Sequence, residues 1–247
     1  MQPWRPASLV RVAVISCIPR EPERVRTLAQ LRAAGLNPIF EPYLNECTSA
    51  ADTGGKHGRV WFEKALQDAL NDEQVGILIC EDDIDARPAL APALELAVML
   101  DEFTDFCIWR PRHHPDALKQ AIETRRSIRP GLYEIKHGSG WYGTQCVYIP
   151  AWLIKAYFKH PGRASFHAFD SMMAVLLRDG KYPIYAAYPN PVQHRNPHSI
   201  AELVRGHGHR GLHRVSDTFD LLPARPWGER VAQWKEAIAR GENVRPG

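Results

Sequence analysis

Three consecutive carboxylates, Glu81, Asp82 and Asp83, follow directly after the apolar run 75–80. An apolar run of this length is typical of a strand buried on both faces. Open α/β sheets bind their ligands beyond the carboxyl ends of such strands. Like charges this close repel one another, and a divalent cation that prefers oxygen ligands, Mg²⁺ or Mn²⁺, would stabilise them. The alternative interpretation is a solvated acidic turn.

The spacing of the three acids separates them into two sets. Alternate residues of a strand face opposite sides, so Glu81 and Asp83 are expected on one side and Asp82 on the other. Where the chain leaves the strand this alternation can fail. All three therefore remain candidate ligands.

The stretch 195–214 carries a net charge of +3, which equals the formal excess of the whole chain. It contains four arginines against one glutamate, and four histidines could add to its charge. Such a patch suits an anionic partner, whether a nucleotide diphosphate, a phosphorylated glycan or a nucleic acid. A solvated basic loop is the alternative.

Composition excludes several classes of protein. At 45% of 247 residues, the hydrophobic side chains are sufficient for a real core. No apolar run reaches the roughly 18–20 residues that span a membrane, and the first residues lack the pattern of a signal peptide, so we expect a cytoplasmic protein. The five cysteines have no Cys-x-x-Cys spacing, which argues against a zinc ribbon or a disulfide framework.

Strands and helices alternate along the chain. The strands are predicted over 9–18, 37–40, 75–81, 103–109, 143–149 and 181–188. Helices are predicted over 23–34 with Val25, Leu28 and Leu31 on one face, over 59–70, around 90–98 and 151–158, from 170 to a stop at Gly180, and near the C-terminus. This order predicts an α/β domain with a mostly parallel central sheet flanked by helices over 1–200, including a variable insertion at 115–135. Residues 201–247 are predicted to form an appendage of a basic loop and a helix.

Three segments together resemble a GT-A-fold glycosyltransferase, and in particular glycosyltransferase family 25, the group of the lipooligosaccharide galactosyltransferases. The first is the apolar strand 77–80 ending in Glu-Asp-Asp, which looks like that family's form of the DxD motif. The second is 143–149, similar to its Gly-Thr…Tyr-Ile strand. The third is 169–173, followed by 184–191 and a later His and Ser. The likeness covers roughly residues 9–200.

The resemblance implies a GT-A-like, Rossmann-related sheet and a metal-dependent hexosyl transfer from a nucleotide sugar, with a UDP-sugar and Mn²⁺ or Mg²⁺ expected. It assigns Asp83 to the metal, and Glu81 or Asp82 to the metal or the donor ribose. His194, after the last strand, could complete the coordination. The alternative role for His194 is a hydrogen-bonded structural histidine.

Other residues are assigned around this centre. If the reaction inverts the anomeric carbon, a base must deprotonate the acceptor, and the resemblance points to Asp170, whose alternative role is a helix cap. Arg195, or Lys56 in the long loop 45–58, could neutralise diphosphate oxygens. Trp141 and Tyr142 could stack on a sugar or a base, with core packing as the alternative.

The acceptor is left open between two classes. A saccharide follows from the resemblance, whereas a hydroxymethylated base in DNA, as in phage-type DNA modification, would use the basic stretch 195–214 for phosphate contacts. An interpretation of another class is a non-catalytic nucleotide- or glycan-binding domain that has kept the fold.

Overall fold

The computed structural model describes residues 9–17, 20–38, 44–45, 56–107, 130–135, 141, 143–166, 168–195 and 225–242. Its strands are β1 (Val10–Cys17), β2 (Leu44–Asn45), β3 (Gly76–Glu81), β4 (Ile84–Ala86), β5 (Thr104–Asp105), β6 (Gly131–Ile135), β7 (Cys146–Pro150), β8 (Ile184–Tyr188) and β9 (Val192–His194). Its α-helices are α1 (Glu21–Ala33), α2 (Lys56–Asn71), α3 (Leu90–Leu100), α4 (Ala151–Lys159), α5 (Phe169–Asp179) and α6 (Arg225–Ala239).

Within the described residues, the main sheet has seven strands in the order β2-β1-β3-β7-β5-β8-β6. β1 runs parallel to β2 and β3, and β5 runs parallel to β8. β7 is antiparallel to both β3 and β5, and β6 is antiparallel to β8. Most strands therefore run in one direction, which confirms the mixed α/β fold with a mostly parallel central sheet flanked by helices.

The central strands are buried on both faces, as their apolar runs predict. Leu78 and Cys80 pack into one hydrophobic cluster, whereas Ile77 and Ile79 pack into the other. This division follows from the alternation of side chains along a strand. Cys80, Cys107 and Cys146 are buried free thiols, as expected of cysteines that act as small hydrophobes.

The two clusters place the helices on opposite faces of the sheet. α1, α3 and α6 contribute to the cluster of Leu78, and α2, α4 and α5 contribute to the cluster of Ile77. The chain passes from β1 to β2 through α1 on one face and returns to β3 through α2 on the other. The winding thus reverses between β1 and β3, and ligands of open α/β sheets bind at the carboxyl ends of strands at such a switch point.

Glycine ends α1 as the sequence predicts. Gly35 has a φ of +84°, and the N–H of Leu36 donates to the carbonyl of Leu31 while that of Gly35 donates to Arg32, both at 2.9 Å. This is the double hydrogen bond of a Schellman motif, which favours glycine at the left-handed position.

Three sequence predictions about α1 and the strands of the sheet are wrong. Leu28 and Leu31 are buried as predicted, but Val25 is 55% exposed, because Arg24 and Thr27 complete the inward face of α1. Residues 37–38 form no strand, and residues 39–40 lie outside the described residues. The strand that follows α1 and runs parallel to β1 is β2. Residues 131–135, predicted as part of an insertion, form the edge strand β6.

The C-terminal helix belongs to the body of the protein. Trp227, Val231 and Trp234 of α6 are buried in the same cluster as α3, and Trp227 is 1% exposed. The periodicity of this helix predicts an apolar stripe, but the sequence alone does not reveal what the stripe packs against. The described part of 201–247 is therefore integral to the main core.

Replacing Gly76 with alanine is expected to lower the free energy of unfolding by about 1–3 kcal/mol. An added Cβ would lie 2.6 Å from Cε2 of Tyr148 and 2.7 Å from the carbonyl oxygen of Ile149, and the buried ring has no room to move. Urea denaturation measures the change. Gly228→Ala is the matched control, since nothing lies within 4 Å of its Cβ and alanine favours a helix, so it should be neutral or stabilising. Equal stability of Gly76→Ala and the wild type would contradict this packing.

Candidate metal site

A small second sheet brings a distant histidine to the acidic turn. β4 follows the three carboxylates directly and pairs antiparallel with β9, so that Ile84 lies opposite His194. Nε2 of His194 lies 3.2 Å from Oδ2 of Asp83. The link between these residues rests on the register of this two-stranded sheet.

Glu81, Asp83 and His194 form a group that could hold a metal ion. One ligand atom from each residue lies within 4.8 Å of the others. Asp83 is 6% exposed, and its Oδ1 is buried without a hydrogen-bond partner among the described residues. A buried carboxylate oxygen of this kind is costly unless a ligand satisfies it. The two carboxylates suit Mn²⁺ and Mg²⁺, and the imidazole favours Mn²⁺ of the two, so the residues fit the expected cation.

Asp82 faces a different set of partners. Its Oδ2 accepts a hydrogen bond of 2.6 Å from Ser16 Oγ, at the end of β1. Its Oδ1 accepts a bond of 2.9 Å from Nε of Arg20. Asp82 thus joins β3 to β1 and lies outside the group of Glu81, Asp83 and His194.

Arg20 is a site residue that the sequence reasoning missed. Its Nε binds Asp82, and its Nη2 binds Oδ2 of Asp83 at 2.9 Å. Arg20 immediately precedes α1. The available signal was a cation three residues beyond the end of β1, because the carboxyl ends of neighbouring parallel strands meet at one edge of the sheet.

Arg195 lies beneath the acidic turn, with its side chain only 6% exposed. All three of its guanidinium nitrogens donate to interior acceptors. These acceptors are the carboxylates of Glu23 and Asp85, the hydroxyl of Thr27, and the carbonyl oxygens of Glu23, Asp82 and Ile84. The backbone N–H of Arg195 also donates to the carbonyl of Asp83 at 2.7 Å. The structure therefore gives Arg195 the role of holding the turn against α1, in place of the predicted contact with diphosphate oxygens.

The carboxylates of Glu81 and Asp83 differ in their affinity for protons. Burial, with the nearby charge of Asp83, raises the pKa of Glu81 to about 7. Burial acts in the same direction on Asp83, but the hydrogen bond and charge of His194, with the charge of Arg20, outweigh it and lower the pKa of Asp83. At neutral pH Asp83 is ionised, whereas Glu81 still holds a proton part of the time.

The segment 143–149 lies against the acidic strand. The hydroxyl of Thr144 donates to Oε1 of Glu81, and the N–H of Glu81 donates to the carbonyl of Gln145 at 2.9 Å. These contacts come from the antiparallel pairing of β3 with β7. Two of the three segments singled out in the sequence therefore meet at one edge of the sheet.

A further buried carboxylate, Asp105, stands at the carboxyl end of β5. Its Oδ1 accepts from the N–H of Cys107 at 2.8 Å and its Oδ2 from Nε1 of Trp141 at 2.9 Å. Trp141 is 3% exposed and makes an edge contact with Phe103, with ring centroids 4.9 Å apart. Trp141 thus packs in the core and is not open for stacking on a ligand; Tyr142 lies outside the described residues.

Asp105→Asn should change how stability depends on pH. Burial raises the pKa of Asp105 to about 6, so the folded state favours its protonated form. The stability from this group is full below its unfolded pKa and is lost as pH rises through about 6. Asparagine has one side-chain oxygen, so the N–H of either Cys107 or Trp141 would face its NH₂ group and lose its acceptor. This loss lowers the free energy of unfolding by about 1–3 kcal/mol. The variant is therefore less stable at pH 4, and its deficit relative to wild type shrinks by about 2–3 kcal/mol towards pH 7.

Urea denaturation of both proteins across this range tests the point. The other carboxylates titrate in both proteins, so they cancel in the difference. A deficit that is independent of pH would contradict the raised pKa.

The remaining predicted residues are not brought into contact with the metal-ligand group. Asp170 lies in the first turn of α5, where its Oδ1 accepts from the N–H of Ser171 at 2.6 Å, and Ala168 is the helix N-cap. No hydrogen bond or ion pair between described residues joins Asp170 to Glu81, Asp83 or His194.

Lys56 begins α2 and is not in a loop, contrary to the prediction. Its side chain lies outside what the structure describes. Residues 196–224 are also outside the described residues, so the basic stretch and the choice between saccharide and DNA stay predictions.

None of the helices in the described ranges combines the length and apolar character needed to cross a membrane. No protein-family model matches the chain, and no curated protein matches it either.

Proposed function

We propose that the protein is a metal-dependent glycosyltransferase that moves a sugar from a nucleotide sugar, with UDP as the nucleotide, to a hydroxyl of a saccharide. The observation that carries the proposal is the unpartnered, buried Oδ1 of Asp83 beside Glu81 and His194. A carboxylate oxygen kept free of internal donors, in a turn where Arg20 and Arg195 supply several, supports a role in binding a cation.

The position of the group supports a nucleotide ligand. The carboxylates follow β3 at the point where the winding of the sheet reverses, and Rossmann-related sheets bind nucleotides in the crevice at such a point. The order of segments resembles glycosyltransferase family 25, and this resemblance leads us to expect that the nucleotide carries a sugar. The position thus supports a nucleotide ligand, and the resemblance supports the transfer of a sugar from it.

Each residue has a distinct part in the proposed reaction. Asp83, Glu81 and His194 would hold the cation, and Asp82 holds Arg20 and the end of β1 in place. A bound divalent cation would supply Lewis-acid stabilisation to the departing diphosphate. Arg195 keeps the acidic turn fixed to α1, so that the ligands are held before the cation binds.

Asp170 is our proposed base for an inverting reaction. Its Oδ2 has no hydrogen-bond partner within the described part of the chain and could accept a proton from the acceptor hydroxyl. In this role its Oδ1 would stay bound to Ser171, which fixes the orientation of the carboxylate.

A donor screen tests the proposal. UDP-, GDP- and CMP-sugars are incubated with the protein, with and without Mn²⁺, and release of the nucleotide is followed. We expect the protein to hydrolyse a UDP-sugar slowly, and only when Mn²⁺ is present. The rate of this hydrolysis should be lower in Asp170→Asn. Absence of both turnover and donor binding for every nucleotide sugar, with and without metal, would overturn the proposal.

A further inference from the structure

The guanidinium of Arg20 stands between two carboxylates of the acidic turn. It binds Asp82 through Nε and Asp83 through Nη2, each at 2.9 Å, and its side chain is 11% exposed. The oxygen of Asp83 that it binds, Oδ2, also faces His194, whereas the other oxygen is the unpartnered Oδ1. Arg20 therefore offsets part of the negative charge of the turn without filling the place proposed for the cation.

One nitrogen of the same guanidinium, Nη1, has no acceptor among the described residues. Arginine has five N–H groups, and those on Nη1 have no hydrogen-bond partner in the part of the chain that the structure describes. Arg195 differs, since each of its nitrogens is bound to interior acceptors. Arg20 is thus the guanidinium in this turn that could bind an incoming anion.

The balance of charge sets what the site attracts. Arg20 pairs with Asp82 and Asp83, whereas Arg195 pairs with Glu23 and Asp85. When Glu81, Asp82 and Asp83 are ionised, Arg20 therefore offsets one of their three negative charges, and a bound divalent cation would offset the other two. The acids then no longer repel an anion, and the planar N–H groups of a guanidinium match phosphate oxygens in geometry.

We propose that Arg20 makes cation and diphosphate binding depend on each other: its charge weakens binding of a divalent cation alone, and its unbound N–H groups bind the diphosphate. This inference rests on the proposed function and adds a residue to its donor site. An anion bound by Arg20 would offset the charge that repels the cation, and so would strengthen cation binding; by linkage, the cation strengthens anion binding by the same factor.

The test measures each ligand alone, by calorimetry, on the wild type and on Arg20→Gln. With MnCl₂ in the absence of phosphate, the variant is expected to bind about 10-fold more tightly, because a positive charge near the cation is removed. With inorganic pyrophosphate in the presence of EDTA, the variant is expected to bind about 10-fold more weakly. A merely structural role would weaken both, so the opposite signs are the signature of the proposal.

Two further variants serve as controls. Arg20→Lys keeps the charge, so its Mn²⁺ affinity should return towards the wild-type value, while its pyrophosphate affinity recovers only in part because the fork is lost. Arg26→Gln removes another arginine of α1, one that is 58% exposed and pairs with Asp85, and it should change neither affinity.

The outcomes separate this inference from the proposed function. If the wild type binds neither Mn²⁺ nor a nucleotide sugar, the proposed function fails. If the wild type binds Mn²⁺ but Arg20→Gln leaves both affinities unchanged, or weakens both, the inference about Arg20 fails and the metal site stands.

Discussion

Asp83→Asn is expected to weaken Mn²⁺ binding by about 100-fold or more and to abolish Mn²⁺-dependent release of the nucleotide. The substitution removes one charge from the cation group and allows an amide N–H₂ to occupy the position of the unpartnered oxygen. The side chain keeps its size, so the fold is retained. Calorimetric titration with MnCl₂ measures the affinity.

The matched control is Asp72→Asn, which removes a carboxylate that pairs with Arg11 near the opposite end of β3 and is 52% exposed. Its Mn²⁺ affinity should equal that of the wild type. Unchanged Mn²⁺ affinity in Asp83→Asn would show that the cation binds elsewhere.

Arg195→Met is expected to lower the free energy of unfolding by about 3–5 kcal/mol, the range for breaking one side of a buried ion pair. The change removes the Arg195 donors from the carboxylate of Glu23, the hydroxyl of Thr27 and three carbonyl oxygens. Two of these carbonyls, those of Asp82 and Ile84, keep a donor in the hydroxyl of Thr27. Methionine fills much of the volume, so the loss reports the polar contacts and not a cavity.

Arg26→Met is the comparison for this prediction. Its side chain is 58% exposed and its partner is again a carboxylate, Asp85, so the loss should stay below about 1 kcal/mol. Urea denaturation of both variants measures the difference. If both variants lose less than about 1 kcal/mol of unfolding free energy, the role of Arg195 in holding the turn against α1 would be contradicted.

Those features of the fold that depend on local pattern were predictable from sequence. The apolar run before Glu81 predicts a strand buried on both faces, and the structure confirms this in β3. Gly35 predicts the end of α1 because glycine, which has no Cβ, enters the left-handed region more readily than other residues do. The position of the acids at the end of a buried strand followed from the same run.

The parts that depend on distant pairing were not predictable. His194 reaches Asp83 through the register of β4 with β9, and no local pattern specifies that register. Arg195 and Arg20 are both cations close to the acidic turn. Arg195 is buried beneath the turn, whereas Nη1 of Arg20 has no acceptor among the described residues. Their different roles depend on whether α1 offers interior acceptors, as Glu23 and Thr27 do for Arg195.

The polar face of α1 explains the error at Val25. A helix is expected to bury its apolar residues, but here Arg24 and Thr27 are buried too, where Arg24 donates to Ser16 of β1 and Thr27 donates to the backbone of the acidic turn. Thr27 donates to the carbonyl of Asp82 at 2.7 Å. The inward face of α1 thus includes polar residues that form hydrogen bonds near the site, which its hydrophobic pattern does not predict.

The most direct test of the central claim is a crystal structure of the protein with Mn²⁺ and UDP, with diffraction measured at the manganese absorption edge. We predict an anomalous peak between the carboxylates of Glu81 and Asp83 and Nε2 of His194, with the diphosphate of UDP bound to the same ion. A peak at other residues, or UDP bound away from the carboxyl ends of β1 and β3, would contradict the account.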